Sequence, residues 1–135
     1  MTSGYSGTPL AKKLGHAGPI FAFGMPDDVR AEIEAERPVA WQAGWSGAHG
    51  AHVFVTLRSE LEDLLTVARQ ALPATAVVWV SWPKKAAKVP TDITEDVIRA
   101  IALPMGWVDV KVCAVSPVWS GLKLVVRKEL RSRAA

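Results

Sequence analysis

AVVWVSWPKKAAK, residues 76–88, is the stretch on which the reading of this chain turns. Val77, Val78, Trp79 and Val80 form an unbroken β-branched and aromatic run, the pattern of a strand buried on both faces. Ser81-Trp82-Pro83 ends it, because proline cannot extend a central ladder. Lys84, Lys85 and Lys88 then gather just past the strand's carboxyl end. In open α/β sheets ligands bind at that edge. The segment therefore predicts both a buried strand and the side of the sheet on which a site would lie.

Outward from this strand, helix and strand signals alternate. Upstream, AHVFVTL at 51–57 reads as a second buried strand. Ser59 and Glu62 have the spacing of a capping box, and Leu61, Leu64, Leu65, Ala68 and Leu72 repeat at helical spacing as far as Pro73. Further upstream, PIFAFG at 19–24 is a short strand, and DVRAEIEAER is a polar helix opened by Asp27 and Asp28 and stopped by Pro38. Thr8 before Pro9, with Gly15 beyond LAKKL, predicts a short first helix. PVAWQAGWSGAHG at 38–50 allows one edge strand and a loop.

Downstream, Asp92 and Glu95 repeat the capping spacing before Val97, Ile98 and Ile101. WVDVKVCAV at 107–115 alternates, which places Val108, Val110, Val112 and Ala114 on one face. After the turn SPVWSG, LKLVVRK pairs with it as an antiparallel hairpin. The expected fold is α/β: a Rossmann-like three-layer sandwich with a mostly parallel sheet and a C-terminal antiparallel hairpin. Residues 1–128 make a single domain, and 129–135 form a basic tail.

Composition is that of an ordinary globular chain. Half of the 135 residues are hydrophobic, and 16 Lys and Arg against 13 Asp and Glu leave a net charge of +3. That balance is too small to imply nucleic-acid binding by itself. The single cysteine, Cys113, lies in a predicted strand and reads as a buried small hydrophobe. The first twenty residues hold no uninterrupted apolar core of a signal peptide, and no run approaches the roughly 20 residues that span a bilayer. A cytoplasmic location is the expectation.

A parallel sheet brings several loops to one edge: Gly24-Met25, Arg58, Ser81 to Lys85, and the 116–121 turn. The start of the first helix, Ser6-Gly7-Thr8, points to the same edge. Thr8, Arg58, Ser81, Trp82, Lys84, Lys85, Trp119 and Ser120 are therefore the expected ligand-binding residues, bordering one cleft suited to an anionic or aromatic ligand. The bland alternative is that the tryptophans cover the sheet end while the lysines stay solvated.

Other chemistry is missing. The first strand ends Phe23-Gly24-Met25-Pro26, with one glycine where a dinucleotide fingerprint has three. His49 and His52 lack the further ligands of a zinc site and read as loop histidines. Asp92 and Glu95 are explained by capping. Ser46 has no base partner, and no catalytic residue, metal or cofactor is assigned. Of six tryptophans, Trp79 and Trp107 fall within strands and belong to the core. Trp41 and Trp45 lie in the segment that reads least clearly.

Five segments resemble a family of small bacterial proteins that carries only a domain-of-unknown-function label. They are YSGTPLAKKLG at 5–15, WVSWPKKAA at 79–87, TDITEDVIR at 91–99, VDVKVCAV at 108–115 and WSGLKLV at 119–125. The likeness spans most of the chain outside 25–50. It implies no established activity and carries over no site residue. The order of βα units before a final strand pair also resembles the later half of the S-adenosylmethionine-dependent methyltransferase fold, whose last strand runs antiparallel.

The expected function is a non-catalytic module binding an anionic small molecule or an acidic partner at the carboxyl edge of the sheet. A divergent S-adenosylmethionine-dependent methyltransferase is the first alternative. A nucleic-acid-associated protein is the second, disfavoured because the sequence shows no clustered basic stripe.

Overall fold

The computed structural model describes residues 8–131. Six strands form one sheet in the order β2-β1-β3-β4-β6-β5. In chain order they are β1 (Ile20–Phe23), β2 (Trp41–Gln42), β3 (Gly50–Phe54), β4 (Val77–Pro83), β5 (Trp107–Ala114) and β6 (Trp119–Val126). β2, β1, β3 and β4 are mutually parallel, β6 runs antiparallel to β4, and β5 antiparallel to β6. The sheet is thus mixed, with the terminal hairpin folded so that its second strand lies inside.

Helices cover both faces. α1 (Leu10–Leu14) and α2 (Asp27–Glu34) pack with His52, Phe54 and Trp79 on one side. α3 (Arg58–Ala71) and α4 (Glu95–Ala102) pack on the other against Val53, Val55, Val78, Val80 and Trp82. The two cores follow from strand geometry, since successive side chains on β3 and β4 point to opposite faces. Trp79 and Trp107 are fully buried, as the sequence predicts. A last short helix, α5 (Lys128–Arg131), lies across the expected start of the basic tail, and Leu130 packs against the core.

The caps differ from the sequence reading. α3 starts at Arg58 without a side-chain cap of its own. Its Arg58 N–H instead donates to Asp92 Oδ1 at 2.7 Å, so Asp92 caps a distant helix rather than α4. α4 is capped by Thr94, whose hydroxyl accepts from the Val97 N–H. Pro9, rather than Thr8, holds the N-cap position before α1. Ser6 and Gly7 lie outside the described residues.

β5 also departs from its predicted alternation. Its register against β6 shifts between Asp109 and Lys111, leaving Val110 as the extra residue of a bulge. One extra residue turns the rest of the strand over. Val108 pairs with Val125 while Val112 pairs with Leu122, so the four expected residues do not share a face. Cys113 then points toward the α1 core and is half-buried rather than buried. Burial pushes its thiol pKa up, against the pull of Lys13 and Lys111.

Candidate functional site at the carboxyl edge

The chain leaves β1 for β2 on one side, then crosses back to β3 on the other. The strand order therefore reverses between β1 and β3, and the crevice outside their carboxyl ends is where sheets of this kind take ligands. Gly24 follows β1 with φ +66°, and a Cβ there would lie 3.0 Å from the Phe54 carbonyl oxygen. The close approach of the two strand ends depends on that missing side chain. α2 then begins with Asp27 and Asp28 in its first turn. Two carboxylates offset the positive helix end and set this corner against phosphate.

Beside it, Gln42 ends β2 with its Nε2 donating to the carbonyls of Gly44 (2.9 Å) and Ser46 (2.8 Å). The amide is thereby oriented, with Oε1 as its acceptor. Trp41 donates to Glu34 Oε2 at 2.7 Å and carries the Arg30 guanidinium 5.1 Å over its ring. Ala22, Arg30, Trp41, Gln42 and Ala43 enclose a hollow of about 230 Å³. Across the crevice, Thr91 Oγ1 (2.6 Å) and the Asp92 N–H (3.2 Å) both donate to the Thr56 carbonyl. The segment after the lysine turn is thus tied to the end of β3.

The expected binding residues are distributed as follows. Arg58, Lys84 and Lys85 follow the carboxyl ends of β3 and β4, and the Lys84 N–H donates to the Val118 carbonyl at 2.7 Å. Trp119 opposes Pro83 and meets Phe54 edge-on at 5.1 Å. Ser120 opposes Trp82. The two tryptophans share one end of the sheet but lie on opposite faces, Trp82 in the α3/α4 core and Trp119 against the α1/α2 core. The sheet itself separates them. Thr8 is exposed just before α1.

Ser81 is removed from any ligand by complete burial. It belongs to a chain of hydrogen bonds that the sequence reading missed. Ser81 Oγ meets His52 Nε2 at 2.8 Å, and His52 Nδ1 meets His16 Nε2 at 3.1 Å. His52 is a fully buried strand residue stacked on Phe54, not a loop histidine; His49 is exposed. The strand read at 51–57 already contains His52, and the loop reading of that histidine comes only from its spacing to His49. Burial, helped by the charge of Arg37, pushes His16 down to about 4. Burial likewise holds His52 well below its ordinary value, with His16 contributing. A cavity of about 300 Å³ touches His16, but it opens at the amino edge, away from the crevice.

Solved structures share this arrangement. A Sulfolobus solfataricus protein assigned to the type 11 methyltransferases superposes with a TM-score of 0.61 at 11% identity, over 85% of this chain and 87% of that one. The fibrillarin pre-rRNA processing protein of Methanococcus jannaschii gives 0.53 at 11% identity, over 91% and 70%. The fold is methyltransferase-like. A 16S rRNA (adenine(1408)-N(1))-methyltransferase from Catenulisporales acidiphilia gives 0.50 at 13% identity, over 87% and 89%. No family model and no curated protein matches the chain in sequence. Identities this low carry the fold alone.

The expectation of a non-catalytic module is corrected by these neighbours. Their fold is the one on which the methyltransferase alternative was based. No described helix is long and apolar enough to cross a membrane.

Proposed function

We propose that this chain is a methyltransferase-like enzyme that binds S-adenosylmethionine in the β1/β3 crevice. The observation that carries the reading is the strand order, with an antiparallel β6 inserted between β4 and β5. The residues on the rim fit this donor better than a dinucleotide. Gly24 keeps the ends of β1 and β3 close together, which shapes the crevice that would take the donor. Asp27 and Asp28 disfavour phosphate and suit a ligand bearing positive charge on its amino and sulfonium groups. Gln42 Oε1 stands at the end of β2, where dinucleotide-binding sheets place a carboxylate for the ribose hydroxyls, and accepts the same hydrogen bond without the charge. When bound, the donor supplies a methyl group activated on sulfur. The protein's own part is to orient it: Gly24 by holding the β1 and β3 ends together, Gln42 by a directed acceptor, and the Thr56–Thr91 tie by fixing the opposite wall.

Thermal melting with S-adenosylmethionine and S-adenosylhomocysteine tests the reading. A ligand at tens of times its dissociation constant stabilises by about 2 kcal/mol, a rise of several degrees. Gln42→Ala should weaken binding several-fold while melting like the parent without ligand. Gly24→Val should abolish the shift. Absence of a shift in the parent with either ligand at millimolar concentration would sink the proposal.

A further inference from the structure

Charge is segregated in this chain. Residues 1–26 and 110–128 contain no Asp or Glu, whereas Lys12, Lys13, Lys111, Lys123, Arg127 and Lys128 fall within them. The fold brings three of these together, Lys13, Lys111 and Lys123. Lys111 and Lys123 are register partners on β5 and β6, on the face that α1 covers. Lys13 of α1 donates from Nζ to the Ala114 carbonyl at 3.1 Å, and Lys111 Nζ donates to the Lys13 carbonyl at 3.3 Å. Lys12 is exposed on the same short helix. Both Lys13 and Lys111 act on the Cys113 thiol between them.

Like charges directly opposite on neighbouring strands destabilise a sheet. Neither Lys111 nor Lys123 forms an ion pair with a described residue. The nearest acid on β5, Asp109, is held by Arg99 on the α4 side of the sheet. A pair of cations kept this close without a carboxylate matches an anion of high linear charge density. A nucleic-acid strand carries about one charge per 3.4 Å of helix axis. Trp119 lies half-buried on the same face, toward the carboxyl edge, where an aromatic surface meets an unstacked base. β5 is three strands from β3, roughly 15 Å at ordinary strand spacing. An acceptor reaching from the lysines to the crevice must therefore be longer than a small metabolite.

We infer that the α1–β5–β6 face, through Lys12, Lys13, Lys111 and Lys123, seats the phosphodiester backbone of a nucleic acid. This names the acceptor class for the methyltransferase reading and rests on it only there, because the surface binds without any methyl donor.

Fluorescence anisotropy with a labelled single-stranded RNA and a DNA of the same sequence, without S-adenosylmethionine, between 50 and 300 mM salt, tests it. The parent should bind at least one of the two, with affinity falling steeply as salt rises. Lys111→Gln with Lys123→Gln should cost about tenfold and reduce the log–log salt slope by about 1.4, for two lost phosphate contacts. Lys88→Gln, on the far turn, should change neither. If the double variant does not fold, Lys123→Gln alone serves, since that side chain donates no hydrogen bond within the described residues. Salt-insensitive or absent binding to both nucleic acids would overturn the inference. So would unchanged affinity in a folded variant, or binding to phosphatidylserine vesicles in place of nucleic acid. A failed methyl-donor shift beside positive anisotropy would remove the enzyme reading and leave this one standing.

Discussion

His16, His52 and Ser81 form a polar thread through an otherwise apolar layer. At neutral pH both imidazoles are uncharged, and one proton per link satisfies the chain. Because the folded pKa of His16 lies near 4 against an ordinary 6.5, the unfolded chain binds the proton first. Stability is therefore complete above about pH 6.5 and falls as pH drops toward 4, by about 3 kcal/mol for His16 alone, with His52 adding in the same direction. Arg37, on the His16 carbonyl at 3.1 Å, reinforces the depression. Urea unfolding at pH 7.0, 5.5 and 4.5 should show this slope, and His16→Asn should flatten it; a pH-independent parent contradicts the geometry. Ser81→Ala strands His52 Nε2 in the core and should cost about 1–3 kcal/mol at pH 7. None of the three was legible as a group. His16 and His52 lie 36 residues apart, and only the pairing of β3 with β4 sets His52 beside Ser81.

At the scale of elements, the sequence marked α1 to α4 and every strand but β2, which it allowed without placing; it read α5 as tail and misjudged how three helices begin. Asp92 and Glu95 have the spacing of a local cap, as do Ser59 and Glu62. Tertiary contact overrides both, because Thr91 and Asp92 are tied to Thr56 and bring the Asp92 carboxylate to the start of α3. Asp92→Ala should thus lower stability by about 1 kcal/mol through α3, and Thr94→Ala by a similar amount through α4. Amide hydrogen exchange separates the two, with faster exchange in the first turn of α3 for Asp92→Ala alone. Loss of protection in α4 with that variant would restore the local cap. β6 makes a sharper demand at Gly121, where a Cβ would lie 2.9 Å from Val115 Cγ2 and 3.2 Å from Trp79 Cε3. Gly121→Ala should cost about 1–3 kcal/mol by overpacking, read from the denaturant midpoint. The Val110 bulge was invisible to alternation, since a period of two cannot register an extra residue.

For the whole molecule, two cores share one sheet. Leu14 and Trp79 belong to one face, Leu65 and Trp107 to the other, and all four are buried to 2% exposure or less. Trp79 also donates to the Leu14 carbonyl at 2.9 Å, fastening α1 to the central strand. Leu14→Ala and Leu65→Ala should each cost about 2–5 kcal/mol. Because β3 and β4 contribute to both cores, neither layer should melt alone. Far-UV circular dichroism and tryptophan fluorescence should give coincident midpoints in the parent and in both variants. Separate transitions would show two independently folding layers.

The alternation of apolar runs with capped amphipathic stretches was enough to determine an α/β sandwich, its buried central strand and the edge to which its loops return. Those features come from periodicity and backbone chemistry, which act between near neighbours in the chain. Strand order, the bulge, the His16–His52–Ser81 thread and the meeting of Lys13, Lys111 and Lys123 were decided only by tertiary structure. Each joins residues distant in sequence through sheet pairing, and the spacing of residues along a chain does not encode which strands become neighbours.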